Sequence, residues 1–285
     1  LKTVAVSDLH GLAARFALIG RLLDEGIDTL LIAGDIAASG NPDLQQADVR
    51  RNFGTLLKSR RGVRIFAIPG NDDWAIVETA LRELPEITVP MDRSYLLTAG
   101  VSIVGYPYVP IKPFLMKDFE KWDKEDDPNL PDDPGALEAA LQANRLNIHG
   151  FRLHGVDVCD YSFDSGERGD NIVRDLGRIA RFSDPRETLY LFHCPPQGFM
   201  DGGMSIGPPV HIGSKAIREF IMNHQPRLSI HGHSHEAVDR AGGDFEFSIG
   251  KSRGLSVGPG NEPCVLNHLL LDLEARAYER RQLAG

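Results

Sequence analysis

The sequence predicts an α/β fold. Short β-rich apolar runs alternate with helical patterns over most of the chain, and each run empties into a polar or glycine-containing turn. Over its 285 residues, the 42% apolar and 25% charged fractions are those of an ordinary globular protein rather than a disordered, collagen-like or coiled-coil one. A chain of more than about 250 residues buries roughly three quarters of its unfolded surface, so it needs no disulfide staple. That length serves one large domain or two small ones.

In chain order, residues 3–7 read as a buried strand. Residues 12–25 read as a helix, carried by Phe16, Ile19, Leu22 and Leu23 and stopped by Gly26. Further strands are predicted over 29–33, 64–68, 102–106, 188–192 and 228–231. Residues 214–224 read as a helix that Ser214 caps and Pro226 ends. Beyond it, 245–249, 254–257 and 265–272 read as strands joined by Gly, Pro and Asn turns, forming a second sheet or an antiparallel edge.

The stretch 107–186 is too long for a plain connection and is read as a lid or specificity insertion. Inside it, the acidic, proline-punctuated run 117–134 reads as a solvated loop. Ile172, Val173, Leu176, Ile179 and Ala180 form a helical apolar stripe. Arg174, Arg178 and Arg181 read as a solvated face near Asp170 and Glu167, with phosphate contact the alternative.

Charge and cysteine content exclude several classes. With 31 Lys+Arg against 40 Asp+Glu, the net charge of -9 offers no footing for a nucleic-acid coat or an anionic membrane. No stretch approaches the roughly 20 apolar residues of a membrane-spanning helix. Cys159, Cys194 and Cys264 lack C-x-x-C spacing, which fits a reducing, cytoplasmic setting and excludes a cysteine-built zinc ribbon. The chain begins at Leu1 rather than Met, so its natural start is expected to have been trimmed or renumbered.

Metal-binding residue types recur at the predicted strand ends. They are Asp8-Leu9-His10, Gly34-Asp35, Gly70-Asn71-Asp72-Asp73, His193 in a proline-rich loop, and Gly232-His233-Ser234-His235. Taken singly each has a plain reading: Asp8 as a helix cap, Asp35 and Asn71 as turn formers, His193 as a satisfied core residue. Together they mark the C-terminal ends of successive strands, the edge where open α/β sheets place binding crevices.

The ordered series D-x-H, G-D, G-N-x-D, H and G-H-x-H resembles the calcineurin-like metallophosphoesterase superfamily, from residue 1 to about residue 272. The resemblance implies a single domain over 1–285, built as a four-layer α/β/β/α sandwich with two metal ions at one end of its paired sheets. Transferred by motif position, Asp8, His10 and His235 bind one ion, Asn71, His193 and His233 the other, and Asp35 bridges both. Nitrogen and oxygen donors without thiolate suit Mn, Fe, Zn, Ni or Co, and four histidines argue against Ca and Mg. Two divalent ions, two carboxylates and a bridging hydroxide leave about +1 to attract a phosphate-ester substrate. Ions roughly 3.5 to 4 Å apart would generate that hydroxide for in-line attack.

One position departs from the family pattern. Many members read G-N-H-[DE], with the histidine as phosphate contact and proton donor; here Asp72 stands in its place. A carboxylate beside two cations is expected to stay ionised and to donate poorly. It would also repel a dianionic monoester more than a monoanionic diester, so a phosphodiesterase with Asp35, Asn71 and Asp72 at its catalytic centre is expected. The alternatives are a phosphomonoesterase or protein phosphatase using another acid, and a non-catalytic scaffold, against which the filled ligand positions speak. Asp73 reads as a structural acceptor. His149, His154, His211, His224, His231 and His268 read as structural, and Cys194 as a small buried hydrophobe.

Overall fold

The computed structural model describes residues 2–58, 62–124, 147–164, 168–203, 210–260 and 262–285. Two six-stranded sheets dominate. The first runs Ala277–Ala284, Val265–Asp272, Thr3–Val6, Thr29–Ala33, Arg64–Ile68, Ile87–Thr88, with the last four parallel and Val265–Asp272 antiparallel to Thr3–Val6. The second runs Glu246–Ile249, Ser252–Ser256, Leu228–His231, Thr188–Phe192, Val101–Tyr106, Tyr95–Thr98, parallel at its centre and antiparallel at both edges.

The two-residue period of a strand turns these sheets into layers. Val4, Val6, Leu30 and Ile32 face one way and pack with Ile19, Phe53 and Leu81 from the helices Ala13–Asp24, Pro42–Leu57 and Ala75–Arg82. Their neighbours Ala5, Leu31 and Ala33 face the other way and meet Ile103, Leu189, Leu191 and Ile230 of the second sheet. On that sheet's far side, Tyr190 and Phe192 lie against Leu176 and Phe220 from the helices Ile172–Ile179 and Lys215–His224. The order is therefore helix, sheet, sheet, helix, as the family resemblance implied.

Five predicted strands, 29–33, 64–68, 188–192, 228–231 and 265–272, coincide with observed ones. The helix after Ser214 starts as expected, with the Ser214 hydroxyl accepting from the Ile217 N–H. Two further helices carry no sequence-based expectation. Pro42–Leu57 begins with an Asn41 cap and proline at its first turn, yet Gln45, Asp48 and Asn52 lie on its buried face. Ala75–Arg82 has no side-chain cap of its own at Trp74; Asp118, 43 residues on, accepts from the Ala75 N–H at 2.7 Å. The other oxygen of Asp118 accepts from Leu153 N–H in the hairpin His149–His154/Asp157–Ser162, so this hairpin is tied to the segment just past Asn71.

The solvated-loop reading of 117–134 is corrected over its described part. Phe119 and Trp122 are buried, and Lys117 and Glu120, both with side chains 0% exposed, pair at 2.7 Å. Asp123 is buried too, accepting from the Lys215 N–H at 2.7 Å. Opposed charges and backbone donors compensate the desolvation that composition alone suggested would keep this run in water. Residues 125–134 and Glu167 lie outside the described residues. Asp170 pairs with Lys121 at 2.9 Å rather than with an arginine, and Val173 is exposed, which narrows the predicted stripe. No helix among the described residues is long and apolar enough to cross a membrane.

Candidate metal centre

The loops that follow the strands of both sheets meet at their C-terminal ends. Asp8 and His10 follow Thr3–Val6, Asp35 follows Thr29–Ala33, and Asn71 follows Arg64–Ile68, all on the first sheet. His193 leaves Thr188–Phe192, and His233 and His235 leave Leu228–His231, on the second. Backbone hydrogen bonds zip the loops together: Asp8 N–H to Gly34 O, His10 N–H to Asp35 O, Gly11 N–H to Ile36 O, and Gly232 N–H to His193 O, all within 2.8–3.0 Å.

All seven sequence-predicted ligands arrive there. One donor atom from each of Asp8, His10, Asp35 and His235 lies within 4.8 Å of the others, close to the spread of ligands held roughly 2.1 Å from a common ion. His10 Nε2 is 3.2 Å from His235 Nε2, which is 3.5 Å from Asp8 Oδ1. Beside this group, His193 Nε2 is 3.0 Å from Asn71 Oδ1 and 3.4 Å from Asp35 Oδ2. The His233 ring centroid lies 5.1 Å from that of His193. Asp8, Asp35, Asn71, His193 and His233 form a buried floor, and His10, Asp72 and His235 form the open side.

Backbone strain concentrates at this point. Among the described residues seven non-glycine residues have positive φ, and four of them are Asp8, His10, Asp35 and His233. Side chains rarely adopt that conformation without surrounding structure to hold it, and such residues cluster at functional sites. Glycines supply the remaining room. A Cβ on Gly70 would sit 2.2 Å from Asp35 Oδ1, and one on Gly232 would sit 2.9 Å from Asp8 Oδ2.

Buried groups around the floor hold the ligands in place. His193 Nδ1 donates to Ala33 O at 2.8 Å, which turns Nε2 toward Asn71 Oδ1 and Asp35 Oδ2; among the protein groups burial opposes a charge on this ring, but Asp35 and then Asp8 hold it up to about 10. Arg15, buried, donates to the carbonyls of Asp8 and Gly260 at 2.6 and 2.8 Å. Gln45 donates to Asp72 O at 2.7 Å and accepts from the Trp74 N–H at 2.7 Å, which staples the loop carrying Asn71. Neither Arg15 nor Gln45 was legible as part of a site, since one sits within a helical pattern and the other on a helix with no sequence-based expectation. Asp73 has the structural role expected of it, its carboxylate accepting from Ile36, Ala37 and Gly70 N–H at 2.9–3.0 Å. Asp73→Ala leaves those three donors buried and unmet, so urea unfolding should register a loss of at least about 3 kcal/mol. His231 is likewise structural: burial pushes it down to about 4, and both ring nitrogens are hydrogen-bonded.

Electrostatics fit a cation site. Burial alone would raise the Asp8 carboxyl, but the hydrogen bond and charge of His235, with His193 and His10, hold it below the ordinary range. Burial likewise opposes ionisation of Asp35, and His193 reverses it. His233 is pushed well below its ordinary value by burial and then by the His193 charge, which favours the neutral ring a metal needs. Two buried atoms, Asp8 Oδ2 and His233 Nε2, have no hydrogen-bond partner among the described residues. An orphaned carboxylate oxygen and an orphaned imidazole nitrogen, in a nitrogen and oxygen donor set without thiolate, suit a divalent transition metal. From the protein groups alone, burial first and the Asp35 charge second push the Asp72 carboxyl up to about 7, and the two cations on which the expected depression rests would act in the opposite direction.

The profile of the calcineurin-like phosphoesterase family matches residues 1–237. Among solved structures, TT1561 of Thermus thermophilus is similar at TM-score 0.54 and 16% identity, over 98% of this chain and 97% of that one. A dimetal phosphatase from Danio rerio is similar at TM-score 0.51 and 10% identity, over 95% and 92%. No curated protein matches the sequence. At such identities the structural likeness speaks for the fold, whereas the sequence match spans every motif that the two sheets bring together: the chain belongs to the calcineurin-like phosphoesterase family.

Proposed function

We propose that the protein is a phosphohydrolase that holds two divalent transition-metal ions, of the Mn, Fe, Zn, Ni or Co kind, and prefers small-molecule phosphodiesters. The convergence of seven nitrogen- and oxygen-bearing side chains at one strand edge carries this reading. Asp8, His10 and His235 would take one ion, Asn71, His193 and His233 the other, with Asp35 between them. When bound, such a pair neutralises phosphoryl oxygens and lowers the pKa of the attacking water. The chain's own contribution is orientation. Ala33 O fixes the His193 ring, and Asp72 Oδ1 accepts from the Asn71 amide at 2.8 Å, which leaves Asn71 Oδ1 for the centre.

Asp72 supports the diester preference. Its carboxylate stands at the open side of the cluster, 3.8 Å from His10 Nδ1, where added negative charge opposes a dianionic monoester more than a monoanionic diester. The metal-loaded protein should hydrolyse an aryl phosphodiester faster than the matching monoester. Asp72→His should move the ratio toward the monoester by about tenfold, the equivalent of roughly 1.4 kcal/mol. A wild-type preference for the monoester would favour a phosphomonoesterase or protein phosphatase instead. We assign the parts of 107–186 outside the packed helix Ile172–Ile179 to substrate selection. Three unpaired cysteines support a reducing, cytoplasmic setting.

A further inference from the structure

The proposed reaction has no proton donor among the groups described so far, since Asp72 acts there as a negative charge. We propose that His211 protonates the leaving oxygen of the substrate, positioned by Asp201. The inference rests on the phosphoesterase reading above.

His211 lies on a two-stranded ribbon, Gly202–Gly203 against Val210–His211, in which it stands opposite Gly202. This ribbon hangs between the two ligand-bearing loops of the second sheet. On one side, Ser234, flanked by His233 and His235, donates its hydroxyl to Gly202 O at 2.9 Å. On the other, Ser214 N–H donates to Pro195 O and Gln197 N–H to Ser214 O, both at 2.9 Å, which joins the end of the ribbon to the loop that follows His193. The buried Lys112 ammonium donates to Ile212 O, a third anchor. His211 is therefore fastened beside the metal-ligand loops without belonging to them.

The dyad has the form of an oriented acid. Asp201 is buried, and one of its carboxylate oxygens accepts from His211 Nδ1 at 2.9 Å while the other accepts from Gly213 N–H at 3.3 Å. With a carboxylate oxygen as the acceptor, Nδ1 carries a proton, and Nε2 has no hydrogen-bond partner among the described residues. The imidazole itself is 58% exposed, whereas its partner carboxylate is 4% exposed. The anchor is thus buried and the ring faces outward.

The step balances as follows. Water forms a P–O bond and releases one proton, the bond from phosphorus to the leaving oxygen breaks with its electron pair on that oxygen, and the proton on imidazolium Nε2 moves there. The neutral ring then recovers a proton from solvent, equal to the one that water released. General acid catalysis of this kind contributes about 10²–10⁴-fold, and most where the leaving alkoxide is least stable.

The test compares His211→Ala with wild type, both metal-loaded, on phosphodiesters with alkyl and with nitrophenyl leaving groups. The variant should lose about 10²-fold or more on alkyl esters, at least tenfold more than on nitrophenyl esters, with metal content unchanged. Asp201→Asn should show the same leaving-group bias at smaller size, in kcat rather than KM. As a reading independent of turnover, the His211 ring NMR signal, assigned by its loss in His211→Ala, should move when inorganic phosphate is added to metal-loaded wild type. Equal loss across leaving groups, no loss, a fall in metal content, or an unmoved ring signal would each overturn the assignment. Wild type that binds metal yet cleaves none of these esters would instead remove the phosphoesterase reading, and the proton donor with it.

Discussion

Replacing Asp35 by Asn should lower bound metal from two ions per chain to one or none, and should reduce hydrolysis by on the order of 10²–10³-fold or more. The substitution isolates charge from shape. Asparagine has the volume of aspartate and tolerates the left-handed conformation at φ +51° that position 35 requires, so the loop can keep its path. Its amide oxygen can still accept from the Asp72 N–H, as Asp35 Oδ1 does at 2.9 Å. What disappears is the second carboxylate oxygen, the atom 3.4 Å from His193 Nε2, and with it the negative charge that would balance the two proposed cations. Elemental analysis after gel filtration, alongside a diester assay and far-UV circular dichroism, separates loss of the centre from loss of the fold. Two equivalents of metal and wild-type turnover in this variant would refute the bridging role.

Gly34→Ala should be strongly destabilising and should also weaken the metal centre. Gly34 has φ +92°, and a Cβ there would lie 2.3 Å from His193 Nδ1 and 3.1 Å from the Gly70 Cα. His193 cannot retreat, because its ring is fully buried and held through that same Nδ1 to Ala33 O. Overpacking of this kind costs about 1–3 kcal/mol, and the strained backbone adds roughly 1 kcal/mol. A matched control exists in Gly26, at φ +84° with nothing within 4 Å of its added Cβ. Gly26→Ala should show the backbone strain alone, about 1 kcal/mol. Calorimetry should therefore place Gly34→Ala well below Gly26→Ala in Tm, and metal affinity should fall only in the former. Equal Tm values would mean that the sheets are not packed through the His193 ring.

Much of this was written in the chain. The strands Thr29–Ala33, Arg64–Ile68, Thr188–Phe192 and Leu228–His231 are legible because each is a β-rich apolar run that ends in a polar turn, and burial on both faces demands such runs. The elements that escaped notice obey other rules. The helix Pro42–Leu57 buries Gln45 and Asn52, which donate to the distant carbonyls of Asp72 and Gly11, and Asp48, which pairs with Arg51 one turn on, so its inner face does not look apolar. The strand Ala277–Ala284 borders the first sheet with one face in water, and Glu279, Arg280 and Arg281 disguise it. Burial of Lys117 and Glu120 was equally hidden, since neither charge is stable inside without the other.

The sequence by itself determined which chemical groups stand at the strand ends and in what order, because local patterning sets where a strand stops and which side chain follows. Only the tertiary structure decided that Ala33 would hold His193 across 160 positions, and that Asp118 would cap a helix 43 residues before it. It also decided that His211, set aside as structural on its spacing, would sit on a ribbon fastened to both ligand loops. The physical reason is that a ligand shell is a property of distances through space. Those distances arise when two sheets bury their facing sides against each other and glycines let the ends close, and no window of neighbouring residues contains that information.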